Sequence, residues 1–193
     1  MLNKNVEVFM ACEKEAHEAD IVLFGAPFDS TTSYRPGTRF GSSAIRRESY
    51  GIECYSPYQD KDLEDTKVMD CGDLELCFGN TKKALAQIEE QAKEILDNSA
   101  IPFMLGGEHL VTLGAFRAVL EKYPDIHIIH FDAHADLREE YLGEQLSHAS
   151  VIRRCWDLVG DGRIYQFGIR SGDREEFLWA EKGHVNMHPF DLK

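Results

Sequence analysis

Six short apolar runs punctuate the sequence, and helical stretches fill the intervals between them. The runs are IVLFGAPF (21–28), KVMDCGDLE (67–75), IPFMLGGEH (101–109), IHIIHFDAH (126–134), RIYQFGIR (163–170) and HVNMHPF (184–190). The continuous apolarity of IVLFGAPF, and of IPFMLGGEH up to its glycines, is the pattern of strands covered on both faces, and the other four read as further strands. In TKKALAQIEEQAKEILDN (81–98), Leu85, Ile88, Ala92, Ile95 and Leu96 recur at helical spacing. LVTLGAFRAVLEKY, VIRRCWDLVG and EEFLWAEKG (175–183) also read as helices, and a Ser/Thr/Gly/Pro-rich loop after the first run leads into a helix near Ser43. Strands alternating with helices predict a mostly parallel sheet with helices on both faces, a three-layer α/β architecture. A chain of 193 residues without a linker, repeat or low-complexity tract is expected to form a single domain over 1–193.

The composition is globular, with 43% hydrophobic residues and 10% aromatic ones. A net charge of −13 argues against a nucleic-acid or anionic-membrane surface and suits a small cationic partner. The five cysteines are odd in number and form no C-x-x-C pair, so neither a disulfide framework nor a zinc knuckle is indicated. The first twenty residues are polar and no run reaches spanning length, which predicts a cytoplasmic protein.

In open parallel sheets, functional groups gather beyond the carboxyl ends of the strands. Here the third run ends in Gly106-Gly107-Glu108-His109, and the fourth in Asp132-Ala133-His134-Ala135-Asp136. If the fourth strand continues through these positions, 132, 134 and 136 all point one way, roughly 6.6 Å apart in sequence-neighbouring pairs. Side chains so spaced suit two cations about 3.5–4 Å apart. Carboxylates with a minority of imidazole and no thiolate favour Mn²⁺ or a similar cation over zinc. Each group also has a plain structural reading. The aspartates are also suited to helix capping in a solvated loop, and His109 to core packing. His127 and His130 lie within the strand on opposite faces, where packing or orientation of a neighbouring ligand suits them better than ligation. His148 alone is an exposed histidine, and Gly106-Gly107 lacks the Lys-Ser/Thr of a phosphate loop.

Taken in order, PFDSTTSYRPGTRFGSSAIR, LGGEHLVTLGAFR, IHFDAHADLR, SHAS and IYQFGIRSG resemble the ureohydrolase (arginase/agmatinase) family, its agmatinase branch most closely. The resemblance implies an arginase-like fold and a site for two Mn²⁺ ions. By it, His109 and Asp136 would bind the first ion, His134 the second, and Asp132 would bridge both. His148 would shuttle protons or help the amine leave. The implied reaction is attack of a metal-bridging hydroxide on a guanidinium carbon, followed by collapse to urea and an amine. Arginases follow D-A-H-x-D with an Asn-containing stretch that reads the amino acid head. Leu137-Arg138-Glu139-Glu140 lacks that Asn. Agmatine, cleaved to putrescine in polyamine biosynthesis, is therefore the expected substrate, with guanidinobutyrate and arginine as the other candidates. Homo-oligomers, trimers or hexamers, are implied as well.

Several departures from the family pattern matter. Glu108 replaces a common Asp, and Ala149-Ser150 replaces Gly-Thr. Two further metal-binding aspartates, from an S-x-D-x-D-x-x-D-P strand, and a substrate-binding Glu would fall after Lys193. The strands that carry them lie, in the family, between the third and fourth. The expectation is thus a C-terminally incomplete domain with two exposed apolar strand edges and impaired activity, or a non-catalytic remnant that associates with other subunits. A zinc deacetylase on the same fold is disfavoured by His109 together with Asp136.

Overall fold

The computed structural model describes residues 7–189. Lys193 and Phe190, with which the sixth run was expected to end, lie outside them. The strands are β1 (Ile21–Ala26), β2 (Tyr55–Ser56), β3 (Lys61–Asp62), β4 (Val68–Asp73), β5 (Ile101–Gly106), β6 (Ile128–Phe131), β7 (Ile164–Ile169) and β8 (Asn186–Pro189). The helices are α1 (Gly41–Ser49), α2 (Thr81–Asp97), α3 (Val111–Lys122), α4 (Val151–Val159) and α5 (Arg174–Glu181). The predicted α/β alternation is present throughout. The hairpin of β2 and β3 was not foreseen, because its polar sequence carries no apolar run.

The chain divides into two compact units, Met1–Ala118 and Val119–Lys193. In the first, β1 runs parallel between β4 and β5. Its residues Val22, Leu23, Phe24 and Ala26 are buried, as are Leu85, Ile88, Ala92, Ile95 and Leu96 of α2. The Asn80 side chain caps α2 by accepting from the Lys83 amide at 3.0 Å. The expectation that β5 is covered on both faces needs correcting. It pairs with β1 alone among the described strands, and Ile101 and Phe103 are 63% and 54% exposed.

In the second unit, β7 lies parallel between β6 and β8. Ile164 and Ile169 of β7 and Val151, Ile152 and Cys155 of α4 are buried in its core. A capping box starts α5: Asp173 Oδ1 accepts from the Glu176 amide at 3.1 Å, and Glu176 Oε2 accepts from the Asp173 amide at 2.8 Å. The outer strand β6 leaves Ile129 and Phe131 largely exposed.

The fourth strand is also shorter than predicted. Its regular ladder with β7 ends at Phe131 opposite Phe167. The next residue of β7, Gly168, has a φ of 81° and marks a bulge against β8. A positive φ favours glycine and breaks the pleat, so strict alternation stops there. Beyond it the chain stays attached irregularly, through Asp132 N to Phe167 O at 3.2 Å and Arg170 N to Ala133 O at 2.8 Å.

Candidate metal centre

Because the regular ladder of β6 ends at Phe131, positions 132, 134 and 136 follow it in an irregular stretch rather than on a continued strand. Asp136 adopts a φ of 53°, a conformation Asp tolerates better than most residues. Its carbonyl accepts from the Ile152 and Arg153 amides, both at 3.1 Å, which ties it to the start of α4. Asp136 is buried, whereas the His134 side chain is 65% exposed. One nitrogen of His130 and one carboxylate oxygen each of Asp132 and Asp136 lie within 4.8 Å of one another. The second unit thus gathers Asp132 and Asp136 with His130, a residue the sequence suited to packing or orientation.

Asp132 is held at both oxygens. Oδ1 accepts from the His134 amide at 2.9 Å, and the His134 ring lies 3.4 Å from it through Nδ1. Oδ2 sits 3.3 Å from Nε2 of His130. On the other side of that ring, Nδ1 is 3.0 Å from Nε2 of Gln166, which also donates to the Ala135 carbonyl at 2.7 Å. Gln166 is fully buried on β7. Sequence reasoning passed over it, although one amide inside the apolar run IYQFGI signals a buried partner.

His148 begins a short 3-10 turn, His148–Ser150, that leads into α4. Ser147 caps it, with its hydroxyl 3.0 Å from that of Ser150, and Ser150 donates to the Gln145 carbonyl at 2.6 Å. The serine that replaces threonine here keeps the hydroxyl this cap uses. The His148 ring meets Tyr141 edge-on, 5.6 Å between centroids.

The stretch after Asp136 is committed to packing. Leu137 is buried and donates its amide to Glu176 at 2.8 Å. Burial pushes the Glu176 carboxyl above the ordinary range. Glu139 pairs with Arg153 at 2.7 Å and Arg154 at 3.4 Å, and the Arg138 guanidinium lies 4.9 Å from the Tyr141 ring centre.

In the first unit, His109 follows β5 in the turn that enters α3, and its carbonyl accepts from the Thr112 amide at 3.1 Å. Its neighbour Glu108 is buried and braces the turn, accepting from the Thr31 hydroxyl and from the Leu110 amide at 2.7 Å. Gly107 is required by space. A Cβ there would stand 2.5 Å from the Ala26 carbonyl oxygen and 2.6 Å from that of Phe28.

The chemistry of the donor set fits a hard-to-borderline cation, with carboxylates and imidazole together and no thiolate near them. Cys155, the one cysteine of the second unit, is buried in its core. An α/β chain with parallel sheets and such a donor cluster at a strand end defines a class, and the chain belongs to the arginase family, which it matches over residues 19–192. It is 50% identical to the agmatinase of Bacillus anthracis over 186 residues, 96% of this chain and 64% of that protein. It is 35% identical to a guanidinobutyrase of Pseudomonas aeruginosa, over 87% of this chain and 54% of that one. The crystal structure of agmatine ureohydrolase from Thermoplasma volcanium superimposes with a TM-score of 0.88 at 35% identity, covering 96% of this chain and 62% of its own. The fold is therefore arginase-like, and this chain spans somewhat less than two thirds of its relatives' length.

Proposed function

We propose that this protein hydrolyses a guanidino C–N bond, with agmatine as substrate and putrescine and urea as products. The observation that carries the reading is the 50% identity to an agmatinase over nearly the whole chain. The reading takes His109, Asp132, His134 and Asp136 as ligands of two Mn²⁺ ions per complete site. The chemistry such ions supply when bound is a hydroxide nucleophile at neutral pH.

The remaining work falls to the chain's own groups. The His134 amide orients the Asp132 carboxylate, and the Asp136 carboxylate is fixed by the tie of its backbone to α4. His148, on its capped turn, carries a proton to the departing amine. Leu137-Arg138-Glu139-Glu140 lacks the Asn with which the family's arginases read the amino acid's head, and this supports agmatine over arginine.

We place the protein in the cytoplasm as a homo-oligomer, trimer or hexamer, acting in polyamine biosynthesis as one α/β domain. No helix among the described residues is long and apolar enough to cross a membrane. The test is urea release by the complete protein, with the further metal-binding aspartates of the family pattern in place and loaded with Mn²⁺, from agmatine, guanidinobutyrate and arginine in parallel. Urea from agmatine in clear excess supports the reading. No urea from any of the three at full metal occupancy overturns it.

A further inference from the structure

The buried pair Gln166 and His130 stands behind Asp132; Gln166 Oε1 has no hydrogen-bond partner among the described residues, and the contacts of the NH₂ end alone fix the direction of the pair's hydrogen bonding. A carbonyl oxygen only accepts. The Ala135 carbonyl, 2.7 Å from Gln166, therefore fixes which end of the amide faces it: the NH₂ end. Exchanging the two ends would set the amide oxygen against that carbonyl. The second hydrogen of the same NH₂ group then points at Nδ1 of His130, 3.0 Å away. Nδ1 must accept it. A proton on Nδ1, in the other tautomer or in the imidazolium, would oppose donor to donor in a site where both side chains are buried. The imidazole proton of neutral His130 consequently sits on Nε2, directed at Asp132 Oδ2, 3.3 Å away.

A nitrogen that carries a proton has no lone pair for a metal. We infer that His130 is not a ligand of the centre but a positioning residue, its tautomer set by Gln166 so that Nε2–H holds the Asp132 carboxylate in place. With Oδ1 held by the His134 amide, the carboxylate plane is fixed from two sides. Each carboxylate oxygen has about two acceptor sites, so one hydrogen bond apiece does not exhaust either. This deepens the proposed function and rests on its assignment of Asp132 as a ligand.

Two experiments test it. The first is the ¹⁵N–¹H long-range NMR spectrum of the metal-free protein at mildly alkaline pH, which reports the tautomer without any cation. His130 protonated on Nε2 is expected, and in Gln166→Met, which keeps the volume but lacks the amide, its nitrogen shifts should move towards a tautomer mixture. His130 protonated on Nδ1 in the wild type overturns the inference. The second is Mn²⁺ titration of His130→Gln and His130→Phe. Gln places an NH₂ donor near the position of Nε2, so it should retain the ion count and near-native affinity. Phe should weaken binding about 10–100-fold, the usual cost of losing a group that orients a ligand. Loss of an ion in His130→Gln as complete as in His130→Phe makes His130 a ligand and overturns the inference. A wild type that takes up no Mn²⁺ overturns the cation reading and the positioning role with it, while the tautomer result still stands.

Discussion

Arg46 of α1 grips Asp70 of β4 with both arms of its guanidinium, Nε to Oδ2 at 2.7 Å and Nη2 to Oδ1 at 2.9 Å. Both side chains are at most 1% exposed. Asp70 also accepts from the Phe9 and Gly72 amides at 2.8 and 2.9 Å, and Arg46 reaches Asp73 through Nη1. Removing one partner leaves the other charge buried and uncompensated. Arg46→Met or Asp70→Asn should therefore lower the unfolding free energy by about 3–5 kcal/mol. Urea unfolding followed by circular dichroism measures it, and a change below about 1 kcal/mol, the range of exposed pairs, would contradict the burial argument.

Gly107 leaves no room for a side chain, because the atoms it would meet are backbone carbonyls of Ala26 and Phe28. Backbone yields less than a flexible side chain, so Gly107→Ala should cost about 1–3 kcal/mol, typical of overpacking. It should also displace the turn that carries Glu108 and His109. A thermal melt reports the first effect, and the NMR shift of the His109 ring reports the second. An unchanged melt would show the turn to be adaptable.

Asp29, three residues beyond β1, is buried and pairs with Arg39. Its carboxyl lies below the ordinary value of 3.8, first through the Arg39 hydrogen bond, against the opposing effect of burial, and further through the Gly37 amide. The folded-state pKa is lower than the unfolded one. Its stabilisation is therefore full above the ordinary value and is lost as pH falls through the depressed one. Arg39→Ala removes the main cause, so the acid limb of unfolding should move to higher pH. Circular dichroism against pH checks this, and superimposable acid limbs would refute it.

Exposed apolar surface on an outer strand promotes association. Ile101 and Phe103 on β5 and Ile129 and Phe131 on β6 present such surface, each on the outer strand of its own sheet. Phe103→Lys and Phe131→Lys should each reduce self-association, read as a lower weight-average mass in sedimentation velocity at equal concentration. No change in either variant would indicate that neither edge is a contact.

The alternation of apolar runs with helices made the α/β class legible, and the spacing of Leu85, Ile88, Ala92, Ile95 and Leu96 marked the buried face of α2 correctly. Sequence alone did not show where β6 stops. That depends on Gly168 of a neighbouring strand, whose positive φ ends the ladder and cancels the alternation on which the 132–134–136 row was built. His130 shares the even-numbered face of the strand with Asp132 and Asp136, and its grouping with them was open to the same alternation. Gln166 was missed for a related reason. A period-2 pattern says which face a residue takes, and a buried amide becomes meaningful only once its partners, His130 and the Ala135 carbonyl, are known.

The account depends on Asp132 holding cations. Mn²⁺ uptake, counted by electron paramagnetic resonance during titration of the wild type, Asp132→Asn and His148→Ala, addresses this without reference to turnover. Asp132→Asn should lose both ions together, since a neutral amide bridges poorly, while His148→Ala should bind as the wild type does and release urea more slowly. Asp132→Asn binding Mn²⁺ with wild-type stoichiometry and affinity would contradict the account.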